Sequence, residues 1–98
     1  MKLGFLVTND NNQTALLGLA QAALRRGWSL RLFFNDAGTR LLEHPEVNAL
    51  AETAAISFCE YSARKLGVKL EGLHPKIKKG TQLNHAFLQQ QSDKVIVL

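Results

Sequence analysis

Apolar residues in the first third of the chain alternate between short continuous runs and helical spacing. Leu3 to Val7 is a nearly unbroken apolar run, which is typical of a strand buried on both faces. After the polar stretch "TNDNNQT", apolar residues recur at helical spacing from Leu16 to Leu24, and the residues Arg25 to Gly27 end this helix. The next apolar run, Trp28 to Phe34, predicts a second strand.

The same alternation continues through the middle of the chain. A helical segment begins at Thr39 to Leu42, is interrupted by Pro45, and resumes over Glu46 to Glu52. Ala54 to Phe58 predicts a third short strand, and Glu60 to Leu66 predicts a helix that ends at the following glycine.

The last third is partly ambiguous. Val68 to Lys79 fits a fourth short strand around Val68–Leu73 followed by a basic loop. Thr81 to Gln91 predicts a helix, and Lys94 to Leu98 predicts a closing strand. The residues expected to share the apolar face of that helix are Leu83, Ala86, Phe87 and Gln90.

Strands that alternate with helices predict an α/β fold. We expect one three-layer domain over residues 1–98, with a mostly parallel five-stranded sheet and helices on both faces. In such sheets, sites form beyond the carboxyl ends of the strands. The stretches that follow the first three strands are "TNDNNQT", "NDAGTR" and "FCEYS".

Composition and charge narrow the class of protein. The 98 residues are 46% hydrophobic and 20% charged, which is ordinary for one globular domain. The net charge of +4 is compatible with an anionic partner but does not require one. A single cysteine excludes an intramolecular disulfide and favours a reducing compartment. The N-terminal apolar run is too short to span a membrane and no cleavage site follows it, so we expect a cytoplasmic protein.

Several kinds of site have no support in the sequence. The loop after the first strand lacks glycines, which argues against a dinucleotide or P-loop site, and we expect no cofactor. The three histidines, His44, His74 and His85, lie in different elements without metal-ligand spacing, so we expect surface or loop positions and no metal. The basic stretch "HPKIKKG" contains no aromatic residues, which makes a solvated loop a better interpretation than a nucleic-acid patch.

Cys59 has two interpretations that the residues alone leave even. Free cysteine commonly packs as a small hydrophobic residue, and Cys59, Ala63 and Leu66 would share one helix face. However, "SFCE" also fits a capping box with Ser57 as N-cap, or a turn that begins at Cys59 itself. Either register places the sulfur near a helix N-terminus, where backbone N–H groups stabilise a thiolate, although the adjacent Glu60 opposes this.

Four segments in order resemble the DsrE-like (DsrE/DsrF/TusD-type) sulfur-relay family. They are "KLGFLVTND" with the helix and strand "AALRRGWSLRLFF", then "NDAGTRLL", "ISFCEYSARKLGV" and "GTQLNHAFLQQQSDKVIVL". The resemblance covers nearly the whole chain, although the first loop is asparagine-rich and "NDAG" has an additional alanine. It implies that Cys59 matches the family cysteine that holds sulfur as a persulfide, and that the protein forms a homo- or hetero-oligomer, commonly a trimer or hexamer.

The resulting hypothesis is a sulfurtransferase or sulfur carrier. Sulfur donor and acceptor proteins, or small sulfane-sulfur compounds, are the expected partners, and no directly bound nucleic acid is expected. Backbone N–H groups of Glu60 and Tyr61 are candidates for stabilising the thiolate, and Asn9, Asp10 and Asn35 are candidates for lining the neighbouring strand ends. Two alternatives stay open: a non-catalytic, oligomer-forming subunit with Cys59 as core filler, and a redox sensor at Cys59.

Overall fold

Five strands form one sheet in which every neighbouring pair is parallel. The computed structural model describes all residues from 1 to 98. The strand order is β4-β3-β2-β1-β5, so the chain adds three strands on one side of β1 and returns to place the last on the other. This confirms the predicted α/β fold. The strands are β1 (Lys2–Val7), β2 (Ser29–Phe34), β3 (Ala55–Cys59), β4 (Lys78–Gly80) and β5 (Lys94–Val97).

The connections between the strands are helical at the predicted places. Gly27 follows the C-cap residue of the first helix, and its φ of 76° is typical of a glycine at that position. Pro45 begins a new helix because its fixed φ suits the first helical position. None of the helices is both long and apolar enough to cross a membrane. The α-helices are α1 (Gln13–Arg25), α2 (Pro45–Ala49), α3 (Glu60–Lys65) and α4 (Gln82–Gln91), and 3₁₀ helices cover Asp36–Glu43 and Leu50–Glu52.

The fourth strand was predicted in the wrong place. Val68–Leu73 has no strand structure, although Val68 is buried and the leucines of this segment pack against the core. The strand is Lys78–Gly80, inside the segment predicted as a basic loop. The strand contains no apolar residue, so its sequence does not indicate a strand. It is a short edge strand that is held by backbone pairing with Ser57–Cys59.

The two faces of the sheet are covered unequally. One face packs under α1, α2, α3 and the 3₁₀ helices, and it holds a cluster of 19 buried apolar residues. We call this the thick face. The other face is covered by α4 alone and holds four buried residues, Leu6, Phe33, Cys59 and Leu88. We call it the thin face.

The helix α4 does not bury the face that its sequence predicts. Leu83 and Phe87 are 63% and 45% exposed, Ala86 is exposed, and Leu88 is the buried residue. The helix has too few apolar residues to define one stripe, so its contact with the sheet decides which side is buried. Gly4 permits this contact, since a Cβ there would lie 2.5 Å from Ser92 Oγ and 2.9 Å from a Leu88 methyl group.

Candidate functional site

Cys59 is both the last residue of β3 and the N-cap of α3. Its Sγ accepts a hydrogen bond from the Ser62 backbone N–H at 3.5 Å. The predicted capping box with Ser57 as N-cap is therefore wrong, and the alternative register, in which the turn begins at Cys59, is confirmed. The predicted donors, the N–H groups of Glu60 and Tyr61, are replaced by the one from Ser62, which is the third helical residue after this cap.

Cys59 lies in the floor of a cavity of about 630 Å³ at the carboxyl edge of the sheet. Three consecutive strand ends form this floor: Asn35 follows β2, Cys59 ends β3 and Gly80 ends β4. Cys59 lines this cavity although it is only 7% exposed. The walls are Asp36, Glu60, Tyr61, Ser62, Arg64, Lys65, Thr81 and Gln82.

Asn35 joins the elements around the cysteine. Its Oδ1 accepts hydrogen bonds from Ser62 Oγ at 3.2 Å and from Gln82 Nε2 at 3.3 Å. Its backbone N–H donates to the Val7 carbonyl at 2.8 Å, which seats the turn on the end of β1. Gly38 is needed in this turn because a Cβ there would collide with the Val7 carbonyl oxygen. One side chain thus links β2 to α3 and α4 beside the sulfur.

The structure explains how Glu60 is accommodated beside the sulfur. Its Oε2 accepts hydrogen bonds from Arg64 Nη2 at 2.7 Å and Arg64 Nε at 3.0 Å, and Lys79 Nζ lies 3.7 Å away. The hydrogen bonds from Arg64 are the main reason that the pKa of Glu60 is lowered; the charges of Arg64 and Lys79 add to the effect, and partial desolvation opposes it. The negative charge is therefore balanced by Arg64 in the cavity wall and by Lys79 on β4.

Two of the predicted lining residues lie elsewhere in the loop after β1. Asn9 Oδ1 accepts hydrogen bonds from Asn11 N at 3.0 Å and Asn12 Nδ2 at 3.3 Å, which shapes the loop. An Asp10 oxygen lies 3.6 Å from Arg40 Nη1. Neither side chain lines the cavity of Cys59, and their roles in a site stay predictions. Asn35, Glu60 and Tyr61 do share that cavity with the cysteine.

Four further residues line the cavity and were not predicted from the sequence: Ser62, Gly80, Thr81 and Gln82. Ser62 acts on the sulfur through its backbone, so its residue type gave no signal beyond its position three residues after the cap. The other three were missed because β4 was misplaced. The pair Thr81 and Asn84 was a usable signal, since Thr81 Oγ1 accepts from Leu83 N at 3.2 Å and Thr81 N donates to Asn84 Oδ1 at 3.0 Å.

His44 and His74 lie in loops, as predicted, and His85 lies in α4 without being buried. His44 is exposed, but His74 and His85 are half-buried. His74 Nε2 lies 2.8 Å from Glu52 Oε1, and the His85 ring stacks on Phe33 with centroids 6.0 Å apart. No three side chains of the histidine, cysteine, aspartate and glutamate types come together as a metal site.

Comparison with solved structures identifies the fold. The chain superimposes on the ychN protein from E. coli with a TM-score of 0.70 and 19% identity over 100% of both chains. It superimposes on MTH1491 from Methanobacterium thermoautotrophicum, described as a protein of unknown function, with a TM-score of 0.69 and 14% identity over 99% of this chain and 98% of the other. No protein-family model and no curated protein matches the chain by sequence.

Both solved structures have the DsrE/DsrF-like fold. The fold that the sequence resemblance implies is therefore confirmed over the full length of the chain. At these identities the comparison establishes the fold and not the activity.

Proposed function

We propose that this protein with a DsrE/DsrF-like fold is a sulfur-relay protein that carries sulfane sulfur as a persulfide on Cys59. The observation that carries the proposal is the position of Cys59, whose Sγ accepts a hydrogen bond from the Ser62 N–H and which lines a cavity at the carboxyl ends of the strands. The N-termini of α3 and α4 both flank this cavity. Their dipoles favour negative charge on the sulfur and on an approaching donor.

The first transfer step begins with the Cys59 thiolate. The thiolate attacks the terminal sulfur of a donor persulfide, R–S–S–H, so that the Sγ–S bond forms and the S–S bond of the donor breaks. The electron pair of the broken bond leaves with the donor as R–S⁻, and the terminal hydrogen stays on the transferred sulfur. The product is Cys59–S–S–H, and no external oxidant or reductant is needed.

The second step returns the protein to its starting state. An acceptor thiolate, A–S⁻, attacks the terminal sulfur of Cys59–S–S–H, and the Sγ–S bond breaks to leave the Cys59 thiolate and A–S–S–H. The chain has no second cysteine, so no intramolecular thiol competes by forming a disulfide. The small exposed fraction of Cys59 favours a terminal sulfur atom over a bulky internal disulfide.

Intact mass spectrometry tests this function. The protein is incubated with inorganic polysulfide, and we expect a species one sulfur atom heavier that a reductant reverses and that Cys59→Ser lacks. Ser62→Ala separates the backbone from the hydroxyl: it keeps the N–H that bonds Sγ, so the adduct should still form, although more slowly because the bond to Asn35 is lost. If wild type stays unmodified and its thiol resists alkylation in the folded state, the relay hypothesis is wrong.

The second candidate function is a non-catalytic subunit that builds an oligomer. The observation in its favour is the thin face, where Leu83 on α4 and Val97 on β5 are both more than 60% exposed. Exposed apolar residues around a single helix are typical of a surface that another chain covers. Sedimentation velocity separates the two functions when it is combined with the mass assay: oligomerisation with an inert Cys59 supports the subunit role.

A further inference from the structure

A second cavity of about 680 Å³ lies beside α4 on the thin face. Its floor includes Arg31 from β2, Ser57 from β3 and Lys78 from β4, and its wall includes Phe87 and Leu88 from α4. We call it the basic groove. It is separate from the cavity of Cys59, because the two share no lining residue.

The charge of the basic groove is one-sided. Arg31, Lys76 and Lys78 line it, and no aspartate or glutamate does. None of the three cations takes part in an ion pair, since the cationic members of the four ion pairs in the molecule are Arg40, Arg64, His74 and Lys79. Lys76 also lowers the pKa of Glu52 through its charge, after the larger effect of His74, whereas Arg31 and Lys78 form no ion pair. The groove therefore has unneutralised positive charge.

The groove also has an apolar component. Phe87 is 45% exposed and lines the groove together with Leu88. A lining that combines two unpaired cations with an aromatic ring matches a peptide that carries both carboxylates and apolar side chains. A nucleic-acid backbone matches it less well, since that would require a longer cationic track than one groove provides.

The groove and the cysteine are neighbours on one strand. Ser57 and Cys59 lie two residues apart in β3 and so point to the same face, about 7 Å apart along the strand. A chain that binds in the groove can therefore bring one of its own sulfur atoms to the adjoining cavity edge.

We propose that the basic groove docks an acidic segment of the protein that donates sulfur to Cys59 or accepts it. This inference rests on the proposed relay function and assigns its protein partner a binding surface and a charge. We therefore expect changes in the groove to alter the affinity for the partner protein. Transfer of sulfur from a small compound to Cys59 should not depend on the groove.

Fluorescence anisotropy with a labelled peptide of alternating glutamate and leucine tests the groove. We expect the double variant Arg31→Glu/Lys78→Glu to bind this peptide at least about tenfold more weakly than wild type, because two attractions become repulsions. The matched control Arg25→Glu/Lys94→Glu changes the same charges outside the groove and should bind like wild type. Phe87→Ala should weaken binding without changing the charge, and a peptide with glutamine for glutamate should not bind.

Other results overturn the proposal. Equal loss in the two double variants shows nonspecific attraction, and tighter binding of a uridine octanucleotide than of the acidic peptide identifies RNA as the occupant. Self-association that disappears in Arg31→Glu/Lys78→Glu identifies a second copy of the chain. Circular dichroism verifies folding of each variant. Polysulfide labelling of Cys59 is measured in parallel: its absence in wild type refutes the relay function, whereas its presence with no peptide binding refutes only the groove.

Discussion

The two faces of the sheet differ in how many buried apolar residues they hold. The thick face buries 19 apolar residues under several helical elements, whereas the thin face buries four under α4. Cys59 belongs to the thin face, and both the cavity of Cys59 and the basic groove are lined in part by residues of α4. A site on the thin face can open to solvent or to a partner while the main core stays packed.

We expect the largest change in the free energy of unfolding when a buried leucine is truncated, and one such leucine is available on each face. Leu16→Ala on the thick face should lower the free energy of unfolding by about 3–5 kcal/mol, and Leu88→Ala on the thin face by about 2–3 kcal/mol, because a single helix can settle into the cavity it leaves. Leu16 is completely buried and Leu88 is 1% exposed, so burial is matched. Urea denaturation measures both, and equal losses would contradict the comparison.

The next effect concerns the contact between α4 and the sheet. Gly4→Ala places a Cβ against Ser92 and Leu88, and overpacking of this kind should cost about 1–3 kcal/mol. We expect faster amide hydrogen exchange in α4 with little change in α1. Gly18→Ala is the control, since a Cβ at Gly18 in α1 meets no atom within 4 Å. Uniform exchange changes in both helices would show that the thin face does not move independently.

A smaller effect is expected at Asn35, where the faces meet beside the sulfur. Asn35→Ala removes the acceptor for Ser62 Oγ and Gln82 Nε2 and should cost about 1 kcal/mol of stability. It should also slow persulfide formation, because α3 and α4 lose their shared anchor. Asn35→Asp keeps the acceptor and adds a negative charge, so it should retain stability yet slow labelling by anionic polysulfide. The rates of persulfide formation are measured by quenching the polysulfide reaction at set times and recording intact masses.

The smallest effect is the acid sensitivity of the long loop before β4. The hydrogen bond with His74 is the main reason that the pKa of Glu52 is lowered, and the charges of His74 and Lys76 add to it. Because the pKa of Glu52 is lower in the folded state, its ionised form stabilises the fold at pH values above the ordinary glutamate pKa. This contribution disappears as the pH falls through the lowered pKa. Glu52→Gln should therefore reduce the decline of the urea midpoint between neutral and acidic pH. Glu71→Gln, at an exposed residue without an ion pair, should not.

Apolar spacing predicted the buried part of the molecule well. The runs at β1, β2 and β3 and the helical spacing of α1 reflect burial against other elements, so their positions follow from residue type. The strand β4 was missed because an edge strand of lysines and glycine depends on backbone pairing, which residue type does not report. The predicted face of α4 was wrong because Leu88 alone, of its four apolar residues, meets the sheet closely.

The residues of the candidate site also fall into two groups, those that the sequence indicated and those that only the folded structure shows. Cys59 at the junction of β3 and α3 was identified from residue order, and Asn35 and Glu60 were placed near it because parallel strands end at one edge. Gly80 and Gln82 are brought to the cavity of Cys59 by chain segments that meet only after folding, whereas Ser62 lies three residues after the cysteine in α3. The pairing of Glu60 with Lys79 likewise joins α3 to β4, and no local pattern indicates it.

The α/β fold, the parallel sheet and the single cysteine at a strand-to-helix turn could all be read from the amino-acid sequence, because local spacing and residue type encode these features. Tertiary structure alone decided that α4 covers the thin face, that its apolar residues Leu83 and Phe87 stay exposed, and that β4 lies beside Cys59. These features depend on contacts between segments far apart in the chain, where backbone pairing and close approach, as at Gly4, outweigh local preference.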